Sequence, residues 1–276
     1  MRWKQFFTPV DAINAVEAKK FIGENRQGSF TLLDVRQPGE YEASHLPGSK
    51  LVPLPELKDR LGEIDSGQPV IVYCAIGGRS RVAAQMMSGK NFSKVYNLSG
   101  GIKAWQGNIA IGPEDQGMLL FTGEETPEEV LTIAYSLEKG LREFYLMMIP
   151  RLADEKAQDL FKKLSDIEIN HQTRIYDEYI RLTNNELSMD DFDQKVVSHD
   201  LEGGLTTEEY LNLYGTDLTS VQDVIGLAMS IEAQALDLYH RAGENASDQD
   251  SKKILQQIAL EEQAHLQLLG ELMDQL

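Results

Sequence analysis

The sequence predicts two domains of different class, an α/β domain followed by an all-α four-helix bundle, and three observations carry that prediction. The chain has 276 residues, more than a single hydrophobic core usually organises. Its net charge of −18 is unevenly placed: residues 1–121 hold 14 Lys and Arg against 12 Asp and Glu, whereas residues 122–276 hold 12 against 32. The acidic part also repeats itself at an offset of 94 residues, with a helical period on both copies.

Composition excludes several classes before any motif is read. With 42% hydrophobic and 25% charged residues, the chain is neither disordered nor fibrous. No apolar run approaches the roughly 18 residues of a membrane span, and Met1-Arg2-Trp3-Lys4 leads into no apolar signal core. A cytoplasmic location without a membrane partner is the expectation. The negative balance argues against nucleic acid, because neutralising phosphates takes a basic surface. The single cysteine, Cys74, permits no internal disulfide and no all-cysteine metal site.

The first domain is expected over residues 1–112. Short apolar runs, Phe30-Thr31-Leu32-Leu33, Val70-Ile71-Val72-Tyr73 and Val95-Tyr96-Asn97-Leu98, read as strands, and Asp11–Ile22 and Arg81–Met87 read as helices between them. Residues 113–125, with Pro113, Gly117 and Gly123 just after Gly112, read as a linker. The bundle is expected over 126–276. It opens at Thr126-Pro127-Glu128-Glu129, which supplies a capping hydroxyl, a proline at the first helical position and acids in the first turn.

Cys74 follows the Val70–Tyr73 strand and opens the loop Cys74-Ala75-Ile76-Gly77-Gly78-Arg79-Ser80, after which a helix begins. The carboxyl end of a strand before a helix is where α/β sheets collect ligands and reactive groups. Backbone amides, the positive end of the helix dipole and Arg79 all favour thiolate there. Gly77 and Gly78 let the amides turn inward as an anion-binding nest. A lone cysteine beside an apolar strand is most often plain core; the loop that follows this one argues for chemistry.

Three further signatures surround the loop: Leu33-Asp34-Val35-Arg36 followed by Glu40-Tyr41, Ser44-His45-Leu46-Pro47-Gly48-Ser49, and Leu98-Ser99-Gly100-Gly101-Ile102-Lys103-Ala104-Trp105. In order and spacing, residues 5–110 resemble a single-domain rhodanese, a sulfurtransferase. The resemblance implies a mainly parallel sheet with flanking helices. It also implies that Cys74 attacks the outer sulfur of a donor such as thiosulfate and holds it as a persulfide against the amides of Ala75, Ile76, Gly77, Gly78 and Ser80. A nucleophilic acceptor then takes the sulfur, so that one transfer becomes two easier steps. Arg79 would attract the anionic donor and Ser80 would cap the helix. Related cysteine phosphatases hold phosphate in similar loops, but they carry seven residues from Cys to Arg where rhodaneses carry six, as Cys74 to Arg79 does. His45, a candidate general base on chemistry alone, falls in the family's structural turn.

In the acidic part, Val130–Glu138 aligns with Val224–Glu232, and the same offset pairs Tyr145 with Tyr239, Glu168 with Glu262 and His171 with His265. Each copy reads Glu, Tyr seven later, and Glu-x-x-His thirty after the first Glu. Thirty residues carry a chain about fifteen up one helix and fifteen down the next, so both ends return to one level of a hairpin that turns near residues 153 and 247. The three-residue spacing in Glu-x-x-His places both groups on one helix face. Two such hairpins bring four carboxylates and two imidazoles together, a set that binds metal pairs inside four-helix bundles. A single Glu-x-x-His on an acidic helix is usually a solvated face. Here, however, Glu138 and Glu232 lie on stripes of Ile, Leu and Ala, where unpaired carboxylates would cost several kcal/mol.

Residues 126–276 resemble the rubrerythrin branch of the ferritin-like family. The resemblance makes Glu138, Glu168, His171, Glu232, Glu262 and His265 ligands of two iron ions, with manganese or zinc as alternatives, and makes Tyr145 and Tyr239 hydrogen-bond donors to ligating carboxylates. Two departures bear on activity. Peroxide-reducing rubrerythrins carry an added Glu where this chain has Ala235, and a four-cysteine rubredoxin site that residues 122–276 lack, so the resemblance implies either no efficient peroxide reduction or dependence on an external electron donor. Glu261 is a conceivable substitute ligand, with exposure the expected fate. Residues 183–219 form a long crossover, with a short helix expected from Thr206; His199 and His240 have no repeat partner and read as surface or packing residues.

The joint expectation is a rhodanese-type sulfurtransferase fused to a di-iron domain with a redox or iron-handling role, assembled as a homodimer. The alternative is a persulfide carrier whose bundle only binds iron or dimerises.

Overall fold

In the computed structural model, the described residues are 10–26, 28–90, 92–105, 107–152, 155–184, 186–196, 210 and 221–273. The chain divides into two compact units at Glu114/Asp115. Among the described residues no helix is long and apolar enough to cross a membrane.

The first unit runs β1 (Asp11–Ile13), α1 (Ala15–Glu24), β2 (Thr31–Asp34), α2 (Pro38–Ala43), β3 (Ser49–Leu51), α3 (Leu57–Arg60), β4 (Pro69–Tyr73), α4 (Gly78–Ser88), β5 (Lys94–Leu98) and α5 (Gly101–Ala104). Its strands form one sheet in the order β1-β5-β4-β2-β3, and every pairing is parallel. Buried on both faces, such strands read as continuous apolar runs, which is why Val70–Tyr73 was visible in sequence. One face packs Leu33, Val35, Val70, Val72, Ala83 and Met87, and the other packs Ala18, Phe30, Leu32, Ile71 and Leu98.

Two local expectations are corrected. Asp11–Ile22 is not one helix: Asp11–Ile13 pairs with β5, and Asn14 then caps α1 by accepting from the Glu17 amide while Glu17 accepts from the Asn14 amide. That reciprocal box stops the helix from extending back into the strand. Ser80 is not a helix cap either, since α4 starts earlier, with Gly77 as its N-cap at φ 94°.

The second unit contains α6 (Pro127–Met148), α7 (Glu155–Thr183), α8 (Met189–Lys195), α9 (Val221–Asn245) and α10 (Gln249–Met273). After α6 the chain turns through Ile149–Arg151, the second hairpin turns at residues 246–248, and Thr126 with Glu129 forms a capping box at α6, where Pro127 begins the helix. Residues 115–125, expected within a linker, belong to this unit. Phe121 is buried in its core, the Gly123 carbonyl accepts from the Ser247 amide, and Arg241 donates to the Gln116 carbonyl at 2.9 Å. In the crossover, α8 docks on α6 through Phe192, which packs edge-on to Tyr135, and through Lys139 to Asp193 at 2.8 Å. Most of the remaining crossover, including His199 and the start of the helix expected at Thr206, lies outside the described residues.

Candidate active site and metal centre

β4 is the central strand of the first unit, so the loop after it lies over the carboxyl ends of its neighbours β2 and β5. Cys74 is buried at the base of that loop. Its Sγ accepts from the Gly77 amide at 3.2 Å and from the Ser80 hydroxyl at 3.5 Å. Burial pushes the thiol pKa up, but the Ser80 hydroxyl and the amides of Ser80, Ile76 and Gly77 outweigh it and bring it below the ordinary thiol range. Ala75 is partly buried and Gly78 exposed, while Ile76 stands out from the loop with 66% exposure.

The loop is held from behind by α5. The Cys74 and Ala75 carbonyls accept from the amides of Ile102 and Lys103. This close approach explains the paired glycines before them: a Cβ on Gly101, at φ +59°, would lie 2.2 Å from the Cys74 carbonyl oxygen.

Two residues that touch the loop, Glu40 on Arg79 and Asn97 on Ser80, have roles that the sequence left hidden. Arg79 interacts with Cys74 but is also clamped from the other side by Glu40, whose two oxygens accept from its two terminal nitrogens at 2.6 Å each. Arg79 holds the Glu40 pKa down at about 2. Asn97 Oδ1 lies 2.6 Å from the Ser80 hydroxyl and shares its single proton with Cys74 Sγ; its signal was a polar residue inside the apolar run Val95–Leu98. A second cation whose charge reaches Glu40, Arg36, is buried against Asp34 at 2.6 Å. His45 stacks on Tyr41 with centroids 3.7 Å apart, its Nδ1 lies 3.0 Å from the Tyr41 carbonyl, and its backbone bridges to Ala110. It is a turn residue held by packing.

In the second unit the six Glu and His residues selected from the repeat converge. His171 Nδ1 lies 3.1 Å from Glu138 and 3.1 Å from Glu168, and His265 Nδ1 lies 3.3 Å from Glu232 and 3.4 Å from Glu262. The two imidazoles stack with centroids 4.4 Å apart. Ligand atoms of Glu138, Glu168 and His171, and of His171, Glu262 and His265, are close enough to hold an ion in each case. All four carboxylates are buried, and they form a polar layer between two apolar clusters, one containing Leu137 and Ala233, the other Leu141 and Ile231.

This layer passes a test for a metal pair. The buried Oε1 atoms of Glu138 and Glu168 have no hydrogen-bond partner among the described residues, a costly condition that a cation would relieve. Burial and the neighbouring Glu138 push Glu168 well above the usual carboxylate range. For Glu138, burial raises the pKa but the His171 charge and hydrogen bond prevail and lower it. Carboxylate oxygen and imidazole nitrogen suit iron, manganese and zinc.

Tyr145 donates to Glu232 Oε1 at 3.2 Å. Tyr239 is fully buried, with its ring edge-on to Phe121 at 6.2 Å. Glu261 is not turned to ligation: it pairs with Arg174 at 2.6 Å. Ala235 is buried, so the position offers no carboxylate.

Comparison with known proteins gives two family matches, a rhodanese-like domain over residues 14–108 and rubrerythrin over residues 129–273. Two curated relatives from Bacillus subtilis (strain 168) are similar to part of the chain. The uncharacterized protein YqhL is 44% identical over 78 residues, 28% of this chain and 62% of that protein. The putative sulfur carrier protein YrkF is 38% identical over 79 residues, 29% of this chain and 43% of that protein. The match thus spans less than two thirds of either relative. Among solved structures, a rhodanese-like domain protein from Staphylococcus aureus is 25% identical, covering 35% of this chain and 92% of that one at a TM-score of 0.33. Reduced CoADR-RHD from Bacillus anthracis is 34% identical, covering 35% of this chain and 16% of that one at a TM-score of 0.32.

Proposed function

The chain belongs to the rubrerythrin family and carries a rhodanese-like domain ahead of that region, and from this premise we propose that it is a sulfurtransferase working through a Cys74 persulfide, fused to a carboxylate-bridged di-iron centre with a redox or iron-handling role. The observation that carries the first half is the donor set around Sγ: the Gly77 amide at 3.2 Å and the Ser80 hydroxyl at 3.5 Å.

Those donors favour thiolate over thiol and remain in place for the sulfur it acquires. Cys74 attacks the outer sulfur of a sulfane donor. A new S–S bond forms, the donor's S–S bond breaks, and the donor fragment leaves with the bonding electron pair. A nucleophilic acceptor then attacks the bound outer sulfur and releases the Cys74 thiolate. α5 fixes the loop through the Ile102 and Lys103 amides, so its amides need no rearrangement during either step.

In the second unit, Glu138, Glu168, His171, Glu232, Glu262 and His265 would hold the metal. Bound iron supplies electron exchange with dioxygen or peroxide. Tyr145 orients Glu232 through its hydrogen bond and so fixes which oxygen of that carboxylate is turned to the centre. The apolar clusters on either side exclude water from the layer. With no cysteine among residues 122–276, electrons come from an external donor.

A second reading, a persulfide carrier serving a partner with little turnover on thiosulfate, is favoured by the Arg79–Glu40 clamp and fits the sulfur-carrier name of one relative. Sulfur transfer to cyanide, followed with thiosulfate and with a low-molecular-weight persulfide, tests both readings. Turnover with either donor that disappears in Cys74→Ser supports the site; turnover that persists in the variant removes Cys74 as the nucleophile.

A further inference from the structure

We propose that Glu40 is a specificity-determining residue, occupying the guanidinium face of Arg79 that a dianionic donor would need and so directing the Cys74 loop toward persulfides that carry at most one charge. The inference rests on the sulfur-transfer reading of Cys74.

Arg79 is the only cation between Cys74 and Ser80. A small dianion such as thiosulfate would bind through a guanidinium fork in two parallel hydrogen bonds. Glu40 already makes that pair of bonds, at 2.6 Å each. The other nearby cation, Arg36, is held by Asp34 and also donates to the Ser44 carbonyl at 2.6 Å. Arg36 and Asp34 are both buried, so neither arginine presents an uncompensated guanidinium to an incoming anion. Ile76, exposed on the loop, adds apolar surface. The sheet order explains the arrangement: α2, which carries Glu40, follows β2, and β2 lies beside β4.

The anion-binding amides are untouched by the clamp, so sulfur attached to Cys74 is still stabilised. What changes is the selection of the donor. With a persulfide R–S–SH, the Cys74 thiolate attacks the outer sulfur, a new S–S bond forms to Cys74, the S–S bond of the donor breaks, R–S⁻ leaves with the electron pair, and the proton stays on the transferred sulfur. No second negative charge has to displace Glu40. With thiosulfate, sulfite leaves as a dianion beside a carboxylate that repels it.

The test is the ratio of kcat/KM for thiosulfate to kcat/KM for the persulfide of 2-mercaptoethanol, measured on the full chain and on Glu40→Gln and Glu40→Ala. Gln retains an oxygen that can accept from the Gln37 amide, as Glu40 does at 3.2 Å, so α2 keeps its cap in that variant. The ratio is expected to rise about three- to tenfold in Glu40→Gln, chiefly through a lower KM for thiosulfate, and further in Glu40→Ala. A ratio within twofold of the wild-type value, including one in which both rates fall together, overturns the inference while leaving sulfur transfer standing. If neither donor adds a sulfur to wild-type Cys74 by mass spectrometry, the sulfur-transfer reading falls and takes this inference with it.

Discussion

The imidazoles of His171 and His265, 94 positions apart in sequence, stack face to face with centroids 4.4 Å apart and planes 9° from parallel. Each ring carries its own pair of carboxylates, Glu138 and Glu168 for the first, Glu232 and Glu262 for the second. The repeat is thus a repeat in space, and the two half-sites meet at one level of the bundle. A layer this acidic inside an apolar core needs a counter-charge.

Without metal, Glu168 is a buried carboxyl crowded by Glu138. Glu168→Gln removes that burden, so the metal-free variant should unfold at or above the temperature of metal-free wild type. With iron the order should reverse, wild type gaining about 2 kcal/mol or more over the variant, because only an intact ligand set binds the native state tightly. Thermal unfolding with and without chelator checks both arms; the same order in both would count against a metal layer.

Tyr145→Phe removes the donor to Glu232 Oε1 while the ring stays packed edge-on to Phe161. Iron affinity should fall about tenfold, in the range found when a hydrogen bond behind a ligand is lost. Competition with a chromophoric chelator measures it. An unchanged affinity would show that Glu232 is oriented by its other neighbours.

The Cys74 pKa, lowered in the folded state, sets a pH dependence whose sign is fixed. Alkylation of native Cys74 should rise with pH through a midpoint below that of the unfolded chain, and Ser80→Ala should move the midpoint up by about one unit. The same shift stabilises the folded unit above the unfolded midpoint, a contribution lost as pH falls through the folded one. A Ser80→Ala midpoint equal to wild type would remove the hydroxyl from the account.

Gly101→Ala should be among the most damaging substitutions in the first unit. Its Cβ would meet the Cys74 carbonyl at 2.2 Å and the Ala75 carbonyl carbon at 2.7 Å, both backbone atoms that cannot swing aside. A cost of about 3 kcal/mol or more is expected in denaturant unfolding, with Cys74 alkylation altered in parallel.

Much of the metal layer was legible in the sequence because duplication writes each ligand twice: Glu138 with Glu232, Glu168 with Glu262, His171 with His265. The cysteine loop was legible because strand, thiol and glycines are contiguous. What stayed hidden depends on strand order. Glu40 and Arg79 are 39 residues apart and meet because β2 lies beside β4; Asn97 reaches Ser80 because β5 flanks β4 on the other side. β1 and β3 were missed for another reason. At three residues each, Asp11-Ala12-Ile13 and Ser49-Lys50-Leu51 are too short and too polar to show a strand period, and only pairing with a neighbour makes them strands.

The central claim, a persulfide-forming cysteine and a metal pair in one chain, is tested most directly by native mass spectrometry of the purified full-length protein before and after incubation with a persulfide donor. The account predicts two iron ions per chain, lost in Glu138→Ala and His265→Ala, together with one added sulfur that is absent in Cys74→Ser. A metal-free chain matched by both bundle variants after iron is supplied, or a sulfur adduct that survives in Cys74→Ser, would contradict it.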